Sequence, residues 1–485
     1  MQRYSYYLNL QRKPVINLKE NAIILYSVTL SRIFIRYFMA EIFYPRTIFQ
    51  HLAAWCRDLS KPGLVLYGAR QTGSTSLVLQ VSKNFRQFIH MDLKEPADME
   101  LFRKAGSITN FLDTLFLLKS INPAGRSILI FFDGVSREPQ IAALAEEIII
   151  LYPWIRIIIS SSLLLPEVPH GFATLFLHPF SFTEFLQARG NKEAIAAFNE
   201  IPFPVSGFHN LLALFHQYCL VGGMPAAVRK YVQSGNLISL KPVYEKILEG
   251  FFDGISDLFL IRRKKDLLTM TLQNAFLYAG TRIKFNAFGN MVYGSREMAK
   301  VFRYLENNML LGLDYPTTAV KQPVSPDRNK FPRLHMVDTG LVTYFSGIQK
   351  QIILASDLNA LFEGQVLRHV IGQELLTLNV NTRNELLFWV RDKAQSSAEL
   401  DFILEFEDLV IPIVVKSGEP GRLRSLHQFI DEAPHPYAVR LYAGNVNIRK
   451  TTTLKGKPFY LLSLPYFLAC RIREHLKGFI RYVGD

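Results

Sequence analysis

The sequence predicts an α/β protein in which two sheet-containing domains are separated by a mainly helical region. The chain has 485 residues, enough for three or four domains of about 100–200 residues each. From residue 62 onward, short apolar runs alternate with helical stretches, which is typical of a parallel sheet wrapped by helices. The last third of the chain returns to this pattern after a proline-rich stretch. These observations favour several domains over one.

The first sheet is predicted from buried strands. They span residues 64–67, 88–92, 128–132 and 155–159, the last two almost purely apolar. A helix is expected over residues 76–85, after the first of these strands. Further on, Ser181 and Glu184 have the spacing of a capping box, in which each side chain bonds the backbone of the other residue. This pattern predicts that another helix begins there.

The same kind of pattern predicts the secondary structure of the middle and the end of the chain. Apolar residues at helical spacing predict a helix over residues 295–313, within a winged-helix-like segment, and three prolines predict a linker over 316–328. Strands of the second sheet are expected at 386–390, 400–405 and 410–415. The predicted divisions are a basic tail (1–38), an α/β domain (39–190), a helical lid (191–260), the winged-helix-like segment and linker (261–325) and a second α/β domain (326–485).

Composition and charge limit the classes of protein. Hydrophobic residues make up 49% of the chain, which excludes disorder as its main state. The net charge of +14 makes a polyanionic partner such as nucleic acid worth considering. Three widely spaced cysteines offer neither a disulfide framework nor a metal knuckle, so a reducing, cytoplasmic compartment is expected. The longest uncharged stretch, 201–228, contains prolines and histidines, so no membrane-spanning helix is expected.

The first 38 residues hold much of the positive charge. Six basic residues stand against Glu20 alone and supply +5 of the total charge of +14. Met39 precedes a segment that reads like the lead-in helix of the first α/β domain. We therefore expect translation to begin at Met39, with residues 1–38 either a tail or a wrongly assigned start.

A loop with the spacing of a phosphate-binding loop joins the first predicted strand to the first helix. Its residues are Gly68, Ala69, Arg70, Gln71, Thr72, Gly73, Ser74, Thr75 and Ser76. Two glycines allow backbone N–H groups to close around phosphate oxygens, and the helix N-terminus favours negative charge. Thr75 stands where a hydroxyl binds Mg²⁺, but Ser74 occupies the position of the usual lysine. The alternative is that this is only a glycine-containing turn.

A carboxylate is predicted beside this loop. Asp133 ends the apolar strand over 128–132, an arrangement that places an aspartate next to phosphate-bound Mg²⁺. Gly134 follows, where a glutamate would polarise the attacking water. Taken alone, a core strand ending in aspartate is usually just a strand end. Together the loop and Asp133 predict a site for ATP and Mg²⁺, with Thr75 and Asp133 as the metal ligands.

In combination, these motifs resemble a prokaryotic family of AAA+ ATPases that carry a C-terminal nuclease-like domain. The resemblance covers about residues 39–462 and rests on segments 68–76, 157–162, 179–186, 222–225 and 336–341, together with Asp133. It implies a P-loop parallel sheet flanked by helices, a helical lid, and ATP with Mg²⁺ as cofactors. In this family Arg70 and Gln71 are ordinary parts of the loop, so Arg70 is not read as a replacement for the lysine.

The departures from the family concern charged groups. Ser74 replaces the family's lysine, Gly134 its glutamate, and Phe172 an arginine. Phosphoryl transfer depends on such groups for electrostatic stabilisation, so we expect hydrolysis to be very weak or absent. Nucleotide binding should persist through backbone amides and Thr75. The alternative is an active ATPase that acts on nucleic acid through its C-terminal domain, whereas a silent relative would serve as a scaffold for a partner.

The resemblance also implies a PD-(D/E)xK-type core in the last domain. Its positions read Glu363, Asp401 and Lys416, with Val414 where the third carboxylate would stand. A valine offers no metal ligand, so we expect weakened metal binding there. Glu399 or Glu405, at alternate positions from Asp401, could substitute. The simpler interpretation is that Glu363 and Asp401 are surface or capping residues.

Overall fold

The computed structural model describes residues 43–104, 106–256, 262–383, 385–392, 398–416 and 423–484. The basic segment 1–38 and the expected start at Met39 lie outside these residues. Pro45–Asp485 forms one compact unit.

The first domain is built on a five-stranded parallel sheet. Its strands are β1 Gly63–Gly68, β2 Gln87–Asp92, β3 Ile128–Asp133, β4 Ile155–Ser161 and β5 Phe172–Leu177, in the order β2-β3-β4-β1-β5. Each of the four predicted strands is present, and β5 is an additional strand at the edge next to β1. The register places Asp133 opposite Ser160 at the carboxyl ends of β3 and β4. The α/β prediction is confirmed.

Helices cover both faces of this sheet. They are α1 Phe49–Arg57, α2 Ser74–Val81, α3 Pro96–Lys104, α4 Ile108–Leu118 and α5 Gln140–Leu151. Because successive strand residues point to opposite faces, Val65 and Tyr67 pack in the core with α4 and α5. Leu64 and Leu66 pack in the core with α1 and α2. The helix expected over 76–85 is thus α2, which begins two residues earlier and continues as a 3₁₀ turn at Ser82–Asn84.

A mainly helical region follows. Its helices are α6 Phe182–Arg189, α7 Lys192–Asn199, α8 Phe208–Val221, α9 Pro225–Ser234, α10 Lys241–Ser256, α11 Arg262–Ala275 and α12 Ser295–Asn307. The capping box at the start of α6 is confirmed, since Ser181 Oγ accepts from the Glu184 amide and Glu184 Oε2 accepts from the Ser181 amide. The helix expected over 295–313 was predicted too long. Met309 has φ +56°, a left-handed conformation that ends a helix, and residues 311–314 form a strand instead.

Short strands connect this region to the last domain. β6 Leu311–Asp314 pairs antiparallel with β8 Arg333–Met336, and β7 Pro316–Thr317 pairs in parallel with β9 Phe388–Trp389. The predicted linker therefore begins with a paired strand, and the strand expected over 386–390 is only two residues long. Helices α13 Thr339–Phe345, α14 Gln349–Leu354 and α15 Gln365–Leu376 follow, with a 3₁₀ segment at Leu358–Gly364.

The second sheet is mixed. Its strands are β10 Phe402–Phe406, β11 Leu409–Val415, β12 Tyr437–Tyr442, β13 Asn447–Thr452 and β14 Pro458–Pro465, in the order β10-β11-β12-β14-β13, with helices α16 Arg424–Glu432 and α17 Ile472–Gly484. The central pairs β11–β12 and β12–β14 are parallel, whereas the outer pairs are antiparallel. The expected strands 400–405 and 410–415 correspond to β10 and β11.

Among the residues that the structure describes, none of the helices has both the length and the apolar character required to cross a membrane.

Candidate functional site

The loop between β1 and α2 has the conformation that its glycines permit. Gly73 has φ +101° and caps the N-terminus of α2, and Gln71 also lies in the left-handed region at φ +67°. Thr72 is buried and closes the turn, because its amide and its hydroxyl both donate to the Ala69 carbonyl at 3.2 and 2.7 Å. The loop is therefore a compact turn that opens directly into a helix N-terminus, the geometry that binds phosphate.

Thr75 and Asp133 meet at the carboxyl end of the sheet. Thr75 Oγ1 donates to Asp133 Oδ2 at 2.6 Å, and Ser160 Oγ donates to Asp133 Oδ1 at 2.5 Å. The Gly134 amide in turn donates to Ser160 Oγ at 2.9 Å. A hydroxyl and a carboxylate are the oxygen ligands that Mg²⁺ prefers when substrate phosphates supply the others. The predicted pair of metal ligands is thus brought together, and it fits Mg²⁺.

His90 is a further member of this cluster that sequence patterns did not indicate. Its Nε2 lies 3.4 Å from Asp133 Oδ2, and its ring stacks on Phe131 at 5.0 Å. Burial alone would raise the pKa of Asp133, but hydrogen bonds from His90, Ser160 and Thr75 outweigh it and lower that pKa. The carboxylate is therefore ionised at neutral pH. The available signal was a histidine between the apolar residues Ile89 and Met91, near the carboxyl end of β2.

The three positions that the sequence predicts to depart from the family have different surroundings. Ser74 is half-buried at the first position of α2. Gly134 has φ +87°, and a Cβ added there would meet no described atom within 4 Å. Phe172 is 5% exposed and its ring fills the space above Gly63, where an added Cβ would lie 2.5 Å from the ring. The Phe172 side chain thus belongs to the hydrophobic core.

Arg46 supports the loop from a segment to which no motif pointed. Its guanidinium donates to the carbonyls of Thr72 and His178 at 3.1 and 2.6 Å. It also lies 3.1 Å from Glu184 and 4.4 Å from the centre of the Phe180 ring. The guanidinium thus links the Thr72 carbonyl of the loop to residues 178–184.

Helix α10 lies against the side chains of the loop. Gln71 Nε2 donates to the Ile247 carbonyl at 3.3 Å. A Cβ added at Gly250 would overlap Gln71 Nε2, and one added at Gly254 would lie 2.5 Å from Arg70 Nε. The two glycines, one helical turn apart, therefore leave the space that Gln71 and Arg70 occupy.

The described side chains at the nuclease-like positions are not grouped as a metal centre. Asp401 Oδ2 accepts from the Val415 amide at 2.7 Å, and Oδ1 lies 3.7 Å from Arg368. Burial raises the pKa of Asp401. Val414 is 6% exposed in the domain core, Lys416 is exposed, and the side chain of Glu363 lies outside the described part of the structure. Across the described ranges, no group of three or more His, Cys, Asp or Glu side chains is placed to hold a metal ion.

The two other candidates for a third carboxylate occupy different places. Glu399 pairs with Arg333 at 2.6 Å and with Arg282 at 3.2 Å. Glu405 is exposed on β10. Glu399 is therefore already engaged in a salt-bridge network.

Comparison with family models divides the chain into three matched segments. Residues 60–186 match the AAA domain, 212–352 match a domain of unknown function (DUF8612) and 360–462 match another (DUF4143). No curated protein matches the chain.

Solved structures with low sequence identity also match. A Walker-type ATPase of Pyrococcus abyssi is 13% identical, with 62% of this chain and 96% of that chain covered and a TM-score of 0.40. A STAND signal-transduction ATPase with a tetratricopeptide repeat sensor from Pyrococcus horikoshii is 13% identical, with 70% and 46% covered and a TM-score of 0.28. Drosophila ORC bound to DNA is 14% identical, with 69% and 95% covered and a TM-score of 0.23. From the match over residues 60–186 and the sheet order, the chain contains a P-loop domain of the AAA ATPase type.

Proposed function

We propose that this protein binds ATP with Mg²⁺ at the loop 68–76 and hydrolyses it very slowly or not at all. The observation that carries the proposal is the 2.6 Å hydrogen bond between Thr75 and Asp133, which keeps the Mg²⁺ ligands together although Ser74 and Gly134 stand at two catalytic positions. We therefore expect ATP to bind with very slow hydrolysis or none.

Binding rests on groups that are retained. The amides of the loop and the N-terminus of α2 would bind the phosphates, and Thr75 with Asp133 would hold Mg²⁺. When bound, Mg²⁺ neutralises charge on the phosphate oxygens. Asp133 is suited to this because its lowered pKa keeps it ionised.

Turnover is limited by the groups that are lost. Ser74 cannot supply the positive charge that stabilises the transferring phosphoryl group, and Gly134 cannot polarise water. Ser160, at the sensor-like position, is held by Asp133 and Gly134. Within the described strands β3 and β4, Asp133 is the only acidic residue, so neither strand supplies a second acid to act as a base.

A titration with a fluorescent ATP analogue, with and without Mg²⁺, tests the binding claim. We expect Mg²⁺-dependent binding that weakens by about 10-fold or more in Asp133→Ala. Steady-state phosphate release, with and without DNA, tests the turnover claim, and we expect a rate at the background of the assay. Phosphate release typical of AAA ATPases, stimulated by DNA and abolished by Asp133→Ala, would contradict this proposal and support the active enzyme that acts on nucleic acid.

Restoring the lysine should strengthen binding. Ser74→Lys is expected to tighten Mg-ATP binding by about 10- to 100-fold, because a charge-assisted contact to phosphate contributes about 1.5–3 kcal/mol. The measurement is the same titration, with Gln80→Lys as the control because it adds the same charge in the last turn of α2. Equal affinities of Ser74→Lys and the wild type would show that the loop does not surround phosphate.

A further inference from the structure

A cavity of about 110 Å³ lies beside the loop, between the first sheet and the β6–β8 pair. Tyr67 and Phe176, whose rings stack at a centroid distance of 5.1 Å, form part of its wall. Of the loop residues 68–76, Ala69 alone is among the lining residues, and Thr75 and Asp133 do not line the cavity. The cavity is thus distinct from the proposed Mg-ATP site.

The charged residues that line the cavity are mainly acidic. They are Glu306, Asp314, Glu385 and Arg383, three carboxyl groups and one guanidinium, in a protein of net charge +14. Glu306 lies 3.4 Å from Arg383, and Glu385 lies 2.9 Å from Arg328. These two acids therefore have cationic partners. Asp314 is the third acidic residue of the lining.

Asp314 is 7% exposed, and within the described chain its side chain makes no hydrogen bond or ion pair. Its neighbour across the strand pair, Arg333, is directed elsewhere, with Nη2 at 2.6 Å from Glu399 and the guanidinium 4.4 Å from the Phe388 ring centre. Burial raises the pKa of Asp314 well above its ordinary value, although Arg333 acts in the opposite direction. A buried carboxyl group without a hydrogen-bond partner is costly, and this one lines a space large enough for a partner.

We propose that this cavity is a binding site for a small organic cation with a guanidinium head, held by the Asp314 carboxylate against the Tyr67 and Phe176 rings. A cavity of about 150 Å³ accommodates benzene, so 110 Å³ suits a group slightly smaller than that ring. A guanidinium donates two parallel hydrogen bonds to one carboxylate and places its flat face on aromatic rings.

A metal ion is a poorer match for the same space. The acids other than Asp314 are already paired with arginines, and the described residues contain no group of three or more metal-ligating side chains. An anion would meet three carboxyl groups for one guanidinium. A ligand with a single positive charge and N–H donors would supply the partner that Asp314 lacks.

Binding of methylguanidinium to the full chain without nucleotide, measured by calorimetry at constant ionic strength, tests the site. Saturable binding is expected for the wild type, with at least about 10-fold weakening in Asp314→Asn. Tetramethylammonium, which has the same charge but no N–H donors, should not bind. Glu405→Gln, an exposed acid on β10, is the matched control and should bind as the wild type does.

A second variant covers the case in which Asp314→Asn does not fold. Gly312 lines the cavity, and a Cβ added there would lie 3.8 Å from Asp314 Oδ1, in ordinary contact. Gly312→Val should therefore fill the cavity and abolish methylguanidinium binding without removing the carboxyl group. Absence of saturable binding by the wild type up to a ligand concentration of about 20 mM, or undiminished binding by either folded variant, would overturn the proposal.

Two further ligands distinguish between the two possible sources of the guanidinium group. Agmatine represents a free small molecule, and an arginine blocked at both termini represents a side chain presented by a protein. Either ligand binding more tightly than methylguanidinium, with the same dependence on Asp314, supports the site and identifies its source.

Discussion

Gly223→Ala is expected to lower the free energy of unfolding by about 4 kcal/mol, an exceptionally large effect for the addition of one methyl group. A Cβ at this position would overlap the carbonyl oxygen of Phe180 and lie 2.7 Å from its amide nitrogen. Both are backbone atoms, so no side-chain rotation can relieve the overlap. The same residue accepts from the Phe180 amide at 2.7 Å and donates to Asp338 Oδ2 at 2.6 Å, so a shift would also break these bonds.

Urea unfolding of the two proteins measures this effect, and Gly478→Ala is the matched control. Gly478 is an exposed residue of α17, where an added Cβ would meet no described atom within 4 Å. Alanine there should stabilise the protein by about 0.5–1 kcal/mol, because it favours the helix. Equal stability of Gly223→Ala and the wild type would mean that Phe180 does not lie against this glycine.

Glu374 should make the protein less stable as pH rises from about 4.5 to 7. Burial raises the pKa of Glu374 from 4.5 to about 7, although hydrogen bonds from Tyr218 and the Phe182 amide lower it in part. The folded state keeps the Glu374 proton up to a higher pH than the unfolded state does. The contribution of this group to the free energy of unfolding is therefore fully present below pH 4.5 and is lost as pH rises through 7. At about 1.4 kcal/mol per unit, the loss is about 3 kcal/mol.

Comparison with Glu374→Gln isolates this effect from other titrating groups, since the amide oxygen can still accept from Phe182. The difference in unfolding free energy between the wild type and Glu374→Gln should move by about 3 kcal/mol in favour of the variant between pH 4.5 and 8. Glu405→Gln, at an exposed site, should show a constant difference. A constant difference for Glu374→Gln as well would show that this carboxyl group titrates alike in both states.

The first sheet and the loop between β1 and α2 could be predicted from the sequence. Strands β3 and β4 consist mainly of apolar residues, as expected for a sheet buried on both faces, and the spacing of Gly68, Gly73 and Thr75 is local. The loop spacing and the strand that ends in Asp133 predicted that Thr75 and Asp133 lie close together, and a 2.6 Å hydrogen bond joins them. Such features depend on neighbours in sequence or on regular geometry.

The remaining contacts depend on long-range packing. Arg46 reaches His178 and Glu184 across more than 130 residues, and the cavity with Asp314 exists only when the β6–β8 pair lies beside the first sheet. Two-residue strands such as β7 and β9 have no periodicity to detect. The role of Glu363, Asp401 and Lys416 stays a prediction, since the backbone contacts of Asp401 could not be read from its spacing.

The left-handed backbone at Gly134 limits which residues this position can hold. A glutamate there would have to adopt φ +87°, a conformation that costs a side-chain-bearing residue about 1 kcal/mol or more. Any residue with a side chain would carry the same strain as long as the loop after β3 keeps this conformation. The backbone of this loop therefore favours glycine at position 134 whether or not the neighbouring site binds a nucleotide.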